Sequence, residues 1–330
     1  PPRSTLFPYT TLFRSLSPLF IRAFELRAEL FDLPDEGCFR LFNAAGDGLD
    51  GLTIDLYEEY LLAQLYYDET HDRAGEILSA LEPAVARLPR APRALLVKDR
   101  RKIDDGDGYT LRRSSHTVWG ETPPPGYRVR HSGMTVLVDL VHGQHTGLFL
   151  DMREVRGKLR PYYSGGGRLL NLFAYTGVFS VHSLLNGAHS AVNVDLSAAV
   201  LERARENYRA NGLECDDRDF VRGDSFEWLR RFGRKERRFD MVIFDPPTFS
   251  RNRRRSFSVK RDYRTALDAI STCAPGGMAL TTINAESVNE REYRSFHPRK
   301  WEIVFYCNES SDFVYKTTPY LKAGLWKIPL

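Results

Sequence analysis

Between positions 39 and 67, apolar residues fall in short alternating runs around the turn signal Ala45-Gly46-Asp47-Gly48. That period of two predicts antiparallel strands at 51–57 and 60–66. Ala74, Ile77, Leu78, Leu81, Val85 and Leu88 then recur at helical spacing within 71–88, and 94–97 returns as a strand. The cluster Pro123-Pro124-Pro125-Gly126 breaks both periodicities and is the best linker candidate, followed by a hairpin over 127–140 that turns at Ser132-Gly133. The chain therefore divides into a small α+β domain at 16–126 and a second domain at 127–330.

After Gly167 the pattern becomes one of strands alternating with helices, the signature of a parallel sheet built from βαβ units. Strands are predicted at 169–173, 191–196, 220–222, 239–244 and 278–283. One helix opens at Gly177 with Val178, Val181, Leu184 and Leu185 on a single face. A second is capped by Ser197, carries Val200, Leu201, Ala204, Asn207 and Tyr208, and stops at Asn211-Gly212. A third covers 260–272. The tail at 301–306 and 325–328 is strand-like without intervening helices, so the predicted architecture is an α/β, Rossmann-like, mostly parallel sheet closed by an antiparallel end.

Composition narrows the picture in three ways. Hydrophobic residues make up 42% and charged residues 27%, a balance that excludes wholesale disorder. No run approaches the 18 or so apolar residues of a membrane span and no signal-peptide pattern is present, so the chain reads as cytoplasmic. Cys38, Cys215, Cys273 and Cys307 stand far apart, which indicates neither a disulfide framework nor a metal site. The net charge is only +4, so the placement of basic residues matters more than their number. Residues 5–15, TLFPYTTLFRS, read like the in-frame translation of a sequencing-adapter oligonucleotide. Residues 1–15 are accordingly set aside from fold reasoning as an artefactual segment, with the first domain expected to be truncated at its N-terminus.

A ligand of such a sheet sits beyond the carboxyl ends of its strands, so the informative residues are those that follow each strand. The turn Asn171-Leu172-Phe173-Ala174-Tyr175-Thr176-Gly177 departs from the G-x-G-x-x-G fingerprint by placing Phe173 and Tyr175 where small residues are usual, which argues against a dinucleotide. Asp195 ends the next strand 18 residues after Gly177, the placement of an acid that accepts hydrogen bonds from ribose hydroxyls. Asp224-Ser225 ends the third strand, within reach of an adenine edge, with Leu196 or Phe226 packing on the ring. Each Asp taken singly also reads as a helix N-cap. The most specific signal is Asp245-Pro246-Pro247-Thr248-Phe249-Ser250, where two prolines remove amide donors and leave carbonyls facing a ligand. A carboxylate and a carbonyl there suit a planar base edge, and Phe249 offers a stacking face. Residues 251–264 follow with Arg251, Arg253, Arg254, Arg255, Lys260, Arg261 and Arg264 against one acid, a composition suited to a phosphate backbone. A weaker basic cluster, 98–102, is a candidate extension of that surface.

Together these motifs resemble the class I S-adenosylmethionine-dependent methyltransferases, specifically the bacterial large-subunit ribosomal RNA base methyltransferases that modify cytosine at carbon 5 or guanine at nitrogen 7. The resemblance extends over about residues 35–330 and includes GQHTGLFLDMR at 143–153, NLFAYTG at 171–177, DPPTF at 245–249 and Tyr320-Leu321-Lys322. It implies S-adenosylmethionine as cofactor, RNA (ribosomal RNA or a ribosomal precursor) as partner, and Phe173, Tyr175, Gly177, Asp195, Leu196, Asp224, Ser225 and Asp245 around the cofactor, with Gln144, Phe149 and Arg153 positioning it.

Two departures shape the expected chemistry. The small RNA-binding domain that opens the cytosine-type members is absent or reduced here. Carbon-5 methylation also needs a thiolate to activate the ring, whereas the stretch that should carry it, 279–285, reads ALTTINA without cysteine. Cys273, on the preceding helix, is assigned to packing. Methylation of guanine nitrogen 7 needs no covalent nucleophile and is expected instead, with Asp245 and the Pro246 carbonyl on the base edge, Phe249 stacked on the ring and Asn284 as a further contact. The competing expectations are cytosine carbon 5, an exocyclic amine, a non-RNA substrate on the same fold, and an RNA-binding protein without turnover.

Overall fold

The strand–helix alternation after Gly167 forms one seven-stranded sheet in the computed structural model. The structure describes residues 9–104, 109–111, 115–247, 249–251 and 256–330, with side chains described for all of these except 9–15, 102–104, 109–111, 249–251 and 256–261. Two units are distinguished by their internal packing. One comprises residues up to His131 together with Val138–Thr146 and Ser311–Thr317; the other comprises Ser132–Leu137, Gly147–Ser310 and Thr318–Leu330.

In the first unit, α1 (Tyr9–Glu25) precedes β1 (Cys38–Asn43), β2 (Leu52–Tyr57) and β3 (Tyr60–Leu65), and α2 (Ala74–Val85) leads to β4 (Ala94–Asp99) and β5 (Ser115–Gly120). The strands pair in sequence order, antiparallel except for β3 with β4. Phe20, Phe24, Leu41, Ile54, Leu61, Ile77 and Leu81 fill the core between sheet and helices. The helix α1 begins inside the segment set aside above, and its buried Leu16, Phe20, Ala23 and Phe24 follow helical spacing that the sequence reading did not assign.

The boundary differs from the predicted cut at 126/127, because later segments return to the first unit. Arg40 donates its amide to Asp312 Oδ2 at 2.7 Å, and Asn43 Nδ2 donates to the Val314 carbonyl at 2.7 Å. Lys98 Nζ donates to the Gly143 carbonyl at 2.9 Å. Backbone carbonyls that are paired far along the chain leave no trace in local composition.

The chain passes from one unit to the other through a hairpin of β6 (Tyr127–His131) and β7 (Met134–Val138), turning at Ser132-Gly133 with φ of +52° and +77°. Such left-handed pairs match the twist of two-residue hairpins. The second unit contains α3 (Arg153–Leu159), β8 (Arg168–Leu172), α4 (Val178–Leu185), β9 (Ser190–Asp195), α5 (Ala198–Ala210), β10 (Phe220–Arg222), α6 (Ser225–Arg234), β11 (Met241–Phe244), α7 (Val259–Cys273), β12 (Met278–Asn284), α8 (Glu290–Ser295), β13 (Glu302–Cys307) and β14 (Leu321–Lys327). Its sheet order is β10-β9-β8-β11-β12-β14-β13, parallel except where β14 pairs antiparallel with both neighbours. Leu170, Val192, Val242, Leu267, Ile270 and Ala279 pack one core, while Leu159, Leu169, Ile243 and Leu280 pack another. The final strand starts four residues earlier than predicted, since six of its seven residues are buried and no alternation marks it. No described helix is long and apolar enough to cross a membrane.

Candidate active site

Strand register sets the site. Leu172 pairs with Val194 on one side and Phe244 on the other, and Phe244 pairs with Thr281. Phe173, Asp195, Asp245 and Thr282, each one residue further on, therefore form a row along the carboxyl edge of the sheet.

The turn after β8 is strained. Phe173 and Tyr175 have φ of +56° and +49°, a left-handed conformation that costs a bulky L-residue about 1–3 kcal/mol. The surroundings hold it. The Phe173 amide donates to Ser225 Oγ at 3.0 Å, the Tyr175 amide to Asp195 Oδ2 at 3.0 Å, and Thr176 Oγ1 to the Gly147 carbonyl at 2.7 Å. Gly177 also has a positive φ, +71°, and a Cβ there would sit 2.9 Å from the Ala204 Cβ, so helix packing by itself requires glycine. Asn171 lies inside the unit, donating from Nδ2 to Ser180 Oγ at 3.0 Å in a buried network with Asn193 and Tyr208.

Asp195 faces both backbone and solvent. Its Oδ1 accepts from the Ser197 amide at 2.9 Å and its Oδ2 from Tyr175, which leaves each oxygen a second lone pair. Beside it Leu196 is 47% exposed, and Phe149, 43% exposed, meets the Tyr175 ring at 5.2 Å between centroids. Apolar surfaces flanking a hydrogen-bonding carboxylate fit a nucleoside: the carboxylate takes the ribose hydroxyls and the apolar groups take the base. S-adenosylmethionine, the cofactor that the sequence resemblance implies, carries such a nucleoside, and Asp195, Leu196 and Phe149 are the residues that would hold it.

The other expected cofactor residues also have partners within the protein. Asp224 caps α6, its Oδ1 accepting from the Phe226 and Glu227 amides at 3.0 Å each, which is the capping alternative. Ser225 is spent on Phe173. Arg153 lies buried on α3, 3.9 Å from Glu154 Oε1. Gln144 belongs to the first unit, where its carbonyl accepts from the Arg100 guanidinium.

Asp245 is held by a hydrogen bond from Thr282 Oγ1 to its Oδ1. Burial pushes its carboxyl up to about 6; the Thr282 bond opposes this, the Asp151 carboxylate adds to it, and Arg156 opposes it. Asp151 itself is buried and accepts from Tyr320 Oη at 2.9 Å on Oδ2. Arg156 is fully buried, donates to the Phe149 carbonyl at 2.9 Å and lies over the Phe179 ring. Lys322, also buried, donates to the Ala285 and Pro319 carbonyls at 2.8 and 2.7 Å, fixing the segment after β12. Sequence reasoning assigned no role to Asp151, Arg156, Thr282 or Lys322. The three-residue spacing of Arg153 and Arg156, one turn of a helix, was the available signal for the second arginine.

Pro246 is buried and Asn284 exposed at the end of β12. Phe249 and Arg251 lie on a short strand (Phe249–Arg251) paired with Ser256–Ser258, and their side chains fall outside the described residues, as do those of Lys260 and Arg261 on α7. Arg253, Arg254 and Arg255 lie outside them entirely. Arg264 is exposed and donates to the Ser295 carbonyl at 3.0 Å. Within the 98–102 cluster, the described side chains have partners inside the protein. Lys98 is buried on Gly143, and Arg101 is paired with Asp99 at 2.9 Å and Asp68 at 2.8 Å.

Residues 279–285, over the end of β12, contain no cysteine. Cys273 is fully buried on α7, its Sγ donating to the Leu229 carbonyl at 3.3 Å, and burial pushes its thiol up to about 11. Burial raises Cys307 to about 11 and also raises Cys38 and Cys215. None has the electropositive setting that makes a thiolate.

The family model described as "S-adenosylmethionine-dependent methyltransferase" matches residues 39–294. A Bacillus subtilis (strain 168) protein provisionally named ribosomal RNA large subunit methyltransferase YwbD is 34% identical over 83% of this chain and 68% of its own length. Ribosomal RNA large subunit methyltransferase I of Aeromonas hydrophila is 36% identical over 74% of this chain and 60% of its own length. Among solved structures, SMU.776, provisionally described as a methyltransferase and complexed with SAH, superimposes with a TM-score of 0.85 at 25% identity, covering 96% of this chain and 82% of that one. The strand order, the acid-bearing strand ends and these matches agree: the chain belongs to the S-adenosylmethionine-dependent methyltransferase family.

Proposed function

We propose that the protein transfers the methyl group of S-adenosylmethionine to a ring nitrogen of a base in large-subunit ribosomal RNA, guanine nitrogen 7 in particular. The RNA substrate rests on the names of its relatives. The observation that carries the choice of atom is the C-terminal end of β12, which bears Thr282 and Asn284 and no thiol, while the cysteines stand elsewhere with raised thiol pKa values.

The bound cofactor supplies a methyl group on a positively charged sulfur, an electrophile that a nitrogen lone pair attacks directly. The chain's own work is then to position the base. Asp245, ionised above pH 6 or so, accepts a hydrogen bond from the base edge, and the Pro246 carbonyl accepts a second. Asn284 reaches the base from the neighbouring strand. Asp195 holds the ribose of the cofactor beside Leu196 and Phe149.

The test is transfer of a labelled methyl group to large-subunit RNA, with mass spectrometry of the digested nucleosides. 7-Methylguanosine is expected. 5-Methylcytidine would overturn the assignment of the atom, and label in another base nitrogen would retain nitrogen transfer while rejecting position 7.

A further inference from the structure

Residues 225–238 carry six cationic side chains, Arg230, Arg231, Arg234, Lys235, Arg237 and Arg238, against Glu227 and Glu236. This surplus equals the +4 of the whole chain. Five of the six are exposed, and Arg238 is half-buried with a guanidinium that donates to the Thr272 carbonyl at 2.7 Å.

The neighbouring helix shows how arginines on this protein are usually satisfied. On α5, Arg203 pairs with Glu206 at 3.3 Å, Arg205 with Glu202 at 3.4 Å and Asp217 at 3.2 Å, and Arg209 with Glu202 at 3.3 Å. On and after α6 the pattern is different. Among the described residues, Arg230, Arg231, Arg234, Lys235 and Arg237 have no ion pair. The helix dipole favours cations in a last turn, which accounts for Arg231 and Arg234 but not for unopposed charge continuing through Arg237.

Aromatic faces hold these cations in place. The Arg231 guanidinium lies 4.5 Å from the Trp228 ring centroid, and that of Arg237 lies 5.2 and 5.5 Å from Phe232 and Phe239. Stacked guanidinium groups keep their in-plane N–H donors free, the geometry that takes phosphate oxygens. A groove of about 300 Å³ lined by Glu227, Trp228, Arg230, Arg231 and Arg234 runs along this face.

We propose that this face of α6 and the turn after it is a docking surface for the phosphate backbone of RNA, separate from the acceptor turn at Asp245. It rests on the reading of the substrate as RNA. The last turn of α6 lies about 13 Å along the helix from Ser225 at the cofactor edge. The surface therefore engages backbone remote from the methylated base and contributes affinity and register rather than chemistry.

The test compares the full chain with the triple variant Arg230→Gln/Arg231→Gln/Arg234→Gln and with the control Arg203→Gln/Arg209→Gln on the paired helix. Binding of large-subunit RNA is measured against salt, and methyl transfer against RNA concentration. The triple variant should reduce the slope of log affinity against log salt by about 2–3 and weaken binding about tenfold or more. The KM for RNA should rise at unchanged kcat and unchanged S-adenosylmethionine affinity, and the control should match the original protein. A triple variant that keeps the original slope and KM overturns this surface alone. Failure of the unmodified protein to bind any RNA overturns the substrate reading and this inference with it. Selective loss of binding to anionic phospholipid vesicles, with RNA binding intact, would reassign the surface to a membrane. A single charge reversal, Arg230→Glu, repeats the test with minimal demand on folding.

Discussion

Thr282 Oγ1 donates to Oδ1 of Asp245, so a residue within β12 offsets part of what burial does to the carboxyl that follows β11. The bond stabilises the ionised carboxylate against burial. With an ionised Asp245 required, kcat should rise with pH through about 6. Thr282→Val should move that midpoint upward by about one pH unit, since a hydrogen bond to a charged group contributes about 1.5–3 kcal/mol. A pH–rate profile with an unmoved midpoint would count against the role given to Asp245.

The same shift has a stability consequence. The folded-state pKa of Asp245, about 6, lies above the ordinary aspartate value of 3.8, so the folded chain holds the proton more tightly. Stability associated with this group is full at pH below the unfolded value and is lost as pH climbs through about 6. Asp245→Asn should therefore raise stability by about 1–2 kcal/mol at pH 7.5, with the gain vanishing near pH 4. Thermal melts at the two pH values measure the difference, and methyl transfer should be lost in the same variant.

Asp195 and Asp245 should separate binding from turnover. Asp195→Ala removes the acceptor for the Tyr175 amide as well as for the ribose, so it should abolish binding of S-adenosylmethionine measured by calorimetry. Asp245→Ala should leave that binding largely intact while abolishing transfer. Equal loss of binding in both variants would remove the division of labour between them.

Gly177 and Gly212 share a positive φ, +71° and +66°, yet differ in their surroundings. A Cβ on Gly177 would crowd Ala204 at 2.9 Å, whereas nothing lies within 4 Å of one on Gly212. Gly212→Ala should cost about 1 kcal/mol of backbone strain, and Gly177→Ala a further 1–3 kcal/mol or so, with weakened cofactor binding as the turn is pushed outward. Denaturant midpoints of the two variants provide the comparison.

Replacing Cys38, Cys215, Cys273 and Cys307 together with alanine should leave the kcat for methyl transfer within about twofold, because the proposed nitrogen transfer uses no thiol, while the three buried sites lower the melting temperature. Loss of transfer in a folded quadruple variant would point to a covalent mechanism.

Much of the parallel sheet was legible because its signals are local. Ser197 and the Asn211-Gly212 stop bracket α5, and the short apolar runs mark β8, β9 and β12 to within a residue. The turn at Ser132-Gly133 was equally plain. What escaped depends on partners distant in sequence. Asp224 offered the same letter as Asp195, and only the position of the Phe226 and Glu227 amides makes it a cap. Lys98 read as surface charge until its carbonyl partner 45 residues away turned it inward. Arg156 and Thr282 gain meaning only through Asp245, which follows another strand.

The return of Ser311–Thr317 to the first unit orders events during synthesis. Arg27, two residues beyond the first helix and 2% exposed, donates to the Asp312 carbonyl at 3.0 and 2.6 Å as well as to Asp47. A ribosome extends the chain towards its C-terminus, so this arginine waits for an acceptor that emerges 285 residues later, and the first unit is closed only after residue 312 has been made. A stop anywhere before residue 312 would thus leave Arg27 buried without the carbonyl that satisfies it.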